Sequence, residues 1–262
     1  MSELEGEFLE ECDLITKIGL CFIFLLFTFL EAKHPPDKTQ EVVAPFLMDP
    51  QHPIRPILDK IFSYPDAILN LKTMEEAGFV RAKPRKFTQL IVTKHPEIPG
   101  YLFKLYLDAQ SYHSEKPEHD YWILRIQGAE KIRQEIENNG LEGFFKVPHK
   151  WIYALPKPCR IEGYQTKYYV LVEEDMEIFD EEVNKNLWRS EQVTSVHLDH
   201  LYSIVRKLGL KDCLKPDNIP FSIDGRIAFI DTQTFGEEHI KFKKLNRFLS
   251  KSNQAYWKTL IK

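Results

Sequence analysis

A basic excess is the first thing this chain lacks. Its net charge is −4 and no run of lysine and arginine stands out, so a nucleic-acid partner is not indicated. Cysteine is scarce: Cys12, Cys21, Cys159 and Cys213. No two of them form a CxxC pair, which argues against a zinc site. Downstream of residue 32 just Cys159 and Cys213 remain, and they read as two thiols, with a disulfide between them as the other reading. Internal repeats and low-complexity tracts are lacking too. So is a full membrane span: the run Ile18 to Leu30 falls short of the ~20 residues needed to cross a bilayer.

That run suits the hydrophobic centre of a secretory signal. Lys17 precedes it and Leu30-Glu31-Ala32 offers a cleavage site. An uncleaved membrane anchor is the second reading and a buried helix the third. The acids Glu3, Glu5, Glu7, Glu10, Glu11 and Asp13 weigh against a signal, whose leading region is usually basic. The chain is therefore expected to be exported or membrane-associated, with membrane contact through residues 14–32. If the run is buried, a cytoplasmic protein is expected instead.

What is present suffices for a folded body. Apolar residues make up 43% of the chain and aromatics 13%, enough for one large domain or two small lobes. Pro35, Pro36, Pro45, Pro50, Pro53 and Pro56 mark residues 34–56 as a linker. Short helical patterns follow over 57–62 and 67–77, the second stopped by Gly78. Strands are predicted over 87–93, 101–107, 144–155 and 167–172. Helices are predicted over 121–139, where Trp122, Ile126, Ala129, Ile132 and Ile136 form an apolar stripe, and over 193–208. A basic, aromatic helix is expected over 241–261. His197 and His200 share one helix turn, but no third metal ligand accompanies them, so a solvated face is the preferred reading.

The chemistry concentrates between Leu210 and Gly236. A turn at Asp224-Gly225 folds the chain back on the strand 226–230. That hairpin brings Asn218 and Asp231 to one end of a small sheet, a pair of oxygen ligands suited to Mg²⁺ with a nucleotide phosphate. Upstream, Lys104 sits within a strand on the face of Leu102 and Tyr106, where a buried ammonium needs a partner.

These residues resemble the protein kinase superfamily. LKPDN (Leu214–Asn218) matches the end of the kinase catalytic loop, and FIDTQ (Phe229–Gln233) stands where the metal-binding Asp of the DFG motif falls. The resemblance spans roughly 86–236. It implies a small atypical kinase or a pseudokinase with an α+β, two-lobed fold. Residues 1–32 would be the signal or anchor, 33–81 a linker and extension, 82–172 an N-lobe of small antiparallel sheet plus helix, and 173–262 a truncated, mostly helical C-lobe.

Roles follow from the same resemblance. Lys104 would bind phosphates of ATP and pair with an acid of the following helix, Glu130 or Glu135. Glu173 to Met176, the end of VLVEEDM, would form the adenine-gripping hinge. Asn218 and Asp231 would hold Mg²⁺. Two departures stand out. The position of the catalytic Asp is Cys213, which leaves Asp212 as the candidate base. The glycine-rich phosphate loop is also missing before Lys104. The expected function is transfer of the γ-phosphoryl of ATP to an unknown hydroxyl, in a protein that also has a protein partner or substrate. The alternative is an inactive pseudokinase acting as a protein-binding module.

Overall fold

A computed structural model describes residues 35, 37–64, 67–82, 90–106, 116–159 and 166–262. The expected signal or anchor at 1–32 and the start of the first predicted strand lie outside the described residues. No helix among the described residues is long and apolar enough to cross a membrane.

The elements run α1 (Asp37–Val43), a 3-10 turn (Ala44–Phe46), α2 (Arg55–Ile61), α3 (Leu71–Glu76), β1 (Val80–Arg81), β2 (Leu90–Lys94) and β3 (Tyr101–Tyr106). Then come α4 (Glu118–Asn138), β4 (Phe145–Lys146), β5 (Lys150–Cys159), β6 (Lys167–Glu174), α5 (Glu181–Trp188) and α6 (Ser195–Leu208). β7 (Ile227–Ala228), α7 (Lys243–Asn246) and α8 (Lys251–Leu260) complete the order. The result is a mixed α+β fold: a five-stranded sheet in the order β1-β2-β3-β6-β5, a two-stranded sheet β4-β7, and helices around both. All pairings of the larger sheet are antiparallel.

Several expectations shift. The proline-rich linker holds α1, because Pro35 and Pro36 precede it and Pro45 sits in the first turn of the 3-10 segment, where proline costs no hydrogen bond. The strand expected over 144–155 splits in two at Pro148, which has no N–H to give a ladder. The helix expected over 241–261 is likewise split into α7 and α8. α5 had no counterpart in the sequence reading, yet its start is signalled: the Asp180 side chain accepts from the Glu182 and Val183 amides, and acids fill its first turn.

Strand alternation gives the five-stranded sheet two faces. On one, Phe103, Leu105, Tyr153, Val170 and Val172 join Leu58, Phe62, Met74 and Phe79 in a single hydrophobic cluster. The N-terminal helices thus cover that face. On the other, Tyr106, Ile152, Tyr169 and Leu171 pack against Trp122 and Ile123 of α4. A third cluster gathers α4, α5, α6, α8 and the 210–229 segment, with Trp188 and Trp257 fully buried in it.

Candidate functional site

The site begins with register. Lys104 pairs across the sheet with Leu171, Leu102 with Glu173, and Lys150 with Glu173. Residues opposite one another share a face. Lys104, Glu173 and Lys150 therefore extend the α4-covered face beyond its apolar end. Glu173 Oε1 lies 2.6 Å from Lys104 Nζ and its Oε2 lies 2.6 Å from Lys150 Nζ. Both ammonium groups also donate to the Ile230 carbonyl, at 3.3 and 3.2 Å. Burial alone would push the Glu173 carboxyl up, but the two ammonium groups outweigh it and hold it down. Burial of Lys150 takes its pKa down to about 8, even with Glu173 opposing the shift.

The acid beside Lys104 is thus a strand residue, which corrects the expectation of a helix acid. Glu130 bonds Arg133 and Gln134 on its own helix instead. Glu135 pairs with Lys207 at 2.7 Å and accepts from Asn139. What α4 sends toward the site is a base, Arg125. Its Nη1 donates to Asp231 Oδ1 at 2.7 Å. Burial works to raise the Asp231 carboxyl, and Arg125, Lys104 and Lys150 together hold it below its ordinary value.

α4 is fastened where Arg125 leaves it. Gly128 lies so close to the Thr232 carbonyl that a Cβ there would stand 1.8 Å from the oxygen. Thr232 Oγ1 donates to the Arg125 carbonyl at 2.5 Å. Helix and strand end are therefore held backbone to backbone.

The hairpin expected at Asp224-Gly225 is present. Phe221 bridges Ile227 antiparallel, and Gly225 N–H donates to the Ser222 carbonyl at 2.9 Å. The Ile230 N–H donates to the Asn218 carbonyl at 3.1 Å, which sets Asn218 beside the chain that enters Asp231. α5 pins the loop from behind: buried Asn184 donates to Pro216 O and accepts from Phe221 N, both at 3.0 Å. Asn218 Nδ2 donates to the Asp212 carbonyl at 2.9 Å.

One cavity of about 580 Å³ takes in Lys104, Arg125, Glu173, Asn218 and Asp231. Leu90, Val92 and Leu102 form its sheet side, and residues 174–181 its rim. At that rim the Met176 N–H makes no hydrogen bond among the described residues. Glu177 next to it holds a left-handed φ of 48°, uncommon for a residue with a side chain, fixed by its N–H on Asp175 Oδ1. Asp212 does not line the cavity; its Oδ2 accepts from Thr234 Oγ1 at 2.8 Å. Asp217 does line it. Cys213 is buried, its thiol pushed up by burial first and by Asp231 and Asp212 next. His197 and His200 lie against Phe144, away from these groups. Among the described residues no group of three His, Cys, Asp or Glu side chains is placed to hold a metal.

Sequence reasoning missed Arg125 and Lys150. Both carried a signal. Arg125 falls between Trp122 and Ala129 at helical spacing, a charge inside an apolar stripe, and Lys150 alternates with Ile152 and Ala154.

No protein-family model and no curated protein matches the chain. Among solved structures, the complex of Rv3197 with erythromycin from Mycobacterium tuberculosis is similar at a TM-score of 0.37 and 16% identity, over 87% of this chain and 68% of that one.

Proposed function

We propose that the chain is a kinase-like nucleotide-binding protein whose cleft takes a nucleoside triphosphate. One observation carries this reading. Lys104, Asn218 and Asp231, far apart in sequence, line one cavity together with an apolar wall and a rim at 174–181. The apolar wall suits a base, the unpaired Met176 N–H suits its edge, and Lys104 and Arg125 at the inner end suit phosphates. Lys104 spends two of its three N–H donors on Glu173 and Ile230, which leaves one for a phosphate oxygen.

Asn218 Oδ1 and Asp231 Oδ2 take no hydrogen bond among the described residues, so two oxygens remain for Mg²⁺. Bound there, the ion would shield phosphate charge. Transfer to a hydroxyl needs a further carboxylate to orient the acceptor. Asp212 is engaged with Thr234 outside the cavity lining, and the neighbouring position is a buried thiol. These two features favour the pseudokinase reading: binding without transfer, in a module that presents itself to a protein partner. Asp217, which lines the cavity, supports phosphotransfer as the second reading.

Thermal denaturation with and without ATP tests the binding. A ligand held by the native state alone raises the midpoint. ATP and GTP that both leave the midpoint unmoved, with and without magnesium, would overturn the proposal. Radiolabel transfer from γ-labelled ATP then separates the two readings, and label on any acceptor would select the enzyme.

A further inference from the structure

A buried cluster of three cations and two anions closes the inner end of the cleft. Lys104 and Arg125 line the cavity, Lys150 lies behind them, and the three face Glu173 and Asp231. Glu173 serves two ammonium groups, and Asp231 serves Arg125 through Oδ1. A buried cation in excess calls for an anionic partner. Arg125 is the group best placed to receive one. It lines the cavity, is 5% exposed, and pairs there with one oxygen of Asp231. A guanidinium has five donors in a fork that fits phosphate oxygens, and it stays charged.

Arg125 cannot leave with its helix. Gly128 and Thr232 press α4 against the chain that carries Asp231, and Thr232 bonds the Arg125 carbonyl. A fixed positive charge therefore touches the same carboxylate a divalent ion would use.

We infer that Arg125 is a resident counter-cation for the phosphates of a bound nucleotide, so that the cleft binds nucleoside triphosphate without a divalent metal. The inference rests on the nucleotide reading above and adds that the metal requirement is relieved by this residue.

Calorimetric titration of the full chain with ATP, once in EDTA and once in magnesium chloride, tests it. The expected dissociation constants agree within about threefold. Arg125→Met is expected to weaken metal-free binding by about ten- to hundredfold, the size of one lost charge-assisted hydrogen bond, and magnesium should restore part of it. Adenosine, which has no phosphate, should bind the variant as it binds the parent. Should Arg125→Met fail to fold, Arg125→Lys keeps the charge and is expected to bind ATP in EDTA within about tenfold of the parent, one charge-assisted contact being retained. Wild-type binding that demands magnesium, or metal-free binding untouched in Arg125→Met, overturns the inference and leaves the nucleotide reading standing. Absence of ATP binding under both conditions removes that reading, and this one with it.

Discussion

The two faces of the five-stranded sheet obey one alternation and reach opposite ends. On the face covered by α2 and α3, the inward positions carry no charge: Phe103, Leu105, Tyr153, Val170 and Val172, with the buried hydroxyl residue Thr93 opposite Phe103. On the face covered by α4, the same spacing starts in hydrocarbon at Tyr106, Ile152 and Leu171 and finishes in Lys104, Lys150 and Glu173. Nothing in the backbone distinguishes the two. What differs is the lid. α2 and α3 close the first face with apolar side chains, whereas α4 turns Arg125 toward the cleft. The charges are aimed by the pattern that builds the core.

The sharpest way to break this comparison is to remove one group from each face. Phe103→Ala should cost ~3–5 kcal/mol for the lost burial and the cavity left behind. Glu173→Ala should cost ~3–5 kcal/mol too, since it strands two buried ammonium groups. Urea unfolding of both variants measures the pair. A Glu173→Ala loss below ~1 kcal/mol would mean that the charged face is wetter than the packing implies.

Gly128→Ala comes next. Its new methyl must displace the Thr232 backbone, at a cost of ~1–3 kcal/mol, and the shift should weaken ATP binding as well, because Asp231 follows Thr232. Stability loss with ATP affinity intact would show that the clasp does not position the site.

How much of this was readable beforehand depended on the kind of signal. The strand over 101–107, the α4 stripe and the Asp224-Gly225 turn were visible because each rests on local periodicity or turn chemistry. Lys104 was visible as a strand lysine among apolar neighbours. Its partner was not, because pairing Lys104 with Glu173 depends on the β3-β6 register, which lies outside any local window. Glu173 was read as the start of an adenine-gripping segment, and Glu130 or Glu135 as the lysine's acid, since family spacing stood in for register. Arg125 escaped because the stripe was drawn through Ile126, one residue along.

A smaller effect sharpens the contrast through pH. Lys150 has a folded-state value near 8 against an ordinary 10.5. Across that window the unfolded chain holds a proton that the folded chain has released, so this group makes stability rise with pH. Glu173 acts at the acid end. Its contribution is present above the ordinary value of 4.5 and is lost as pH falls through the lowered folded value. Urea midpoints between pH 7.5 and 10.5, as rough limits of that window, should rise in wild type relative to Lys150→Met. Parallel curves would assign the slope to other groups. Last and least, Lys60→Ala removes an exposed ion pair with Glu97 and should move stability by no more than ~0.5 kcal/mol.

The helices that back the sheet bear on how the protein is handled at the bench. Phe62 and Phe79 meet Phe103 edge to face, and Phe62 also meets Tyr153. A shortened version starting at Arg81 would keep every residue of the cleft yet strip Phe103 and Tyr153 of this cover. Such a fragment is expected to clump on expression, and its silence in a ligand assay would report stickiness rather than chemistry.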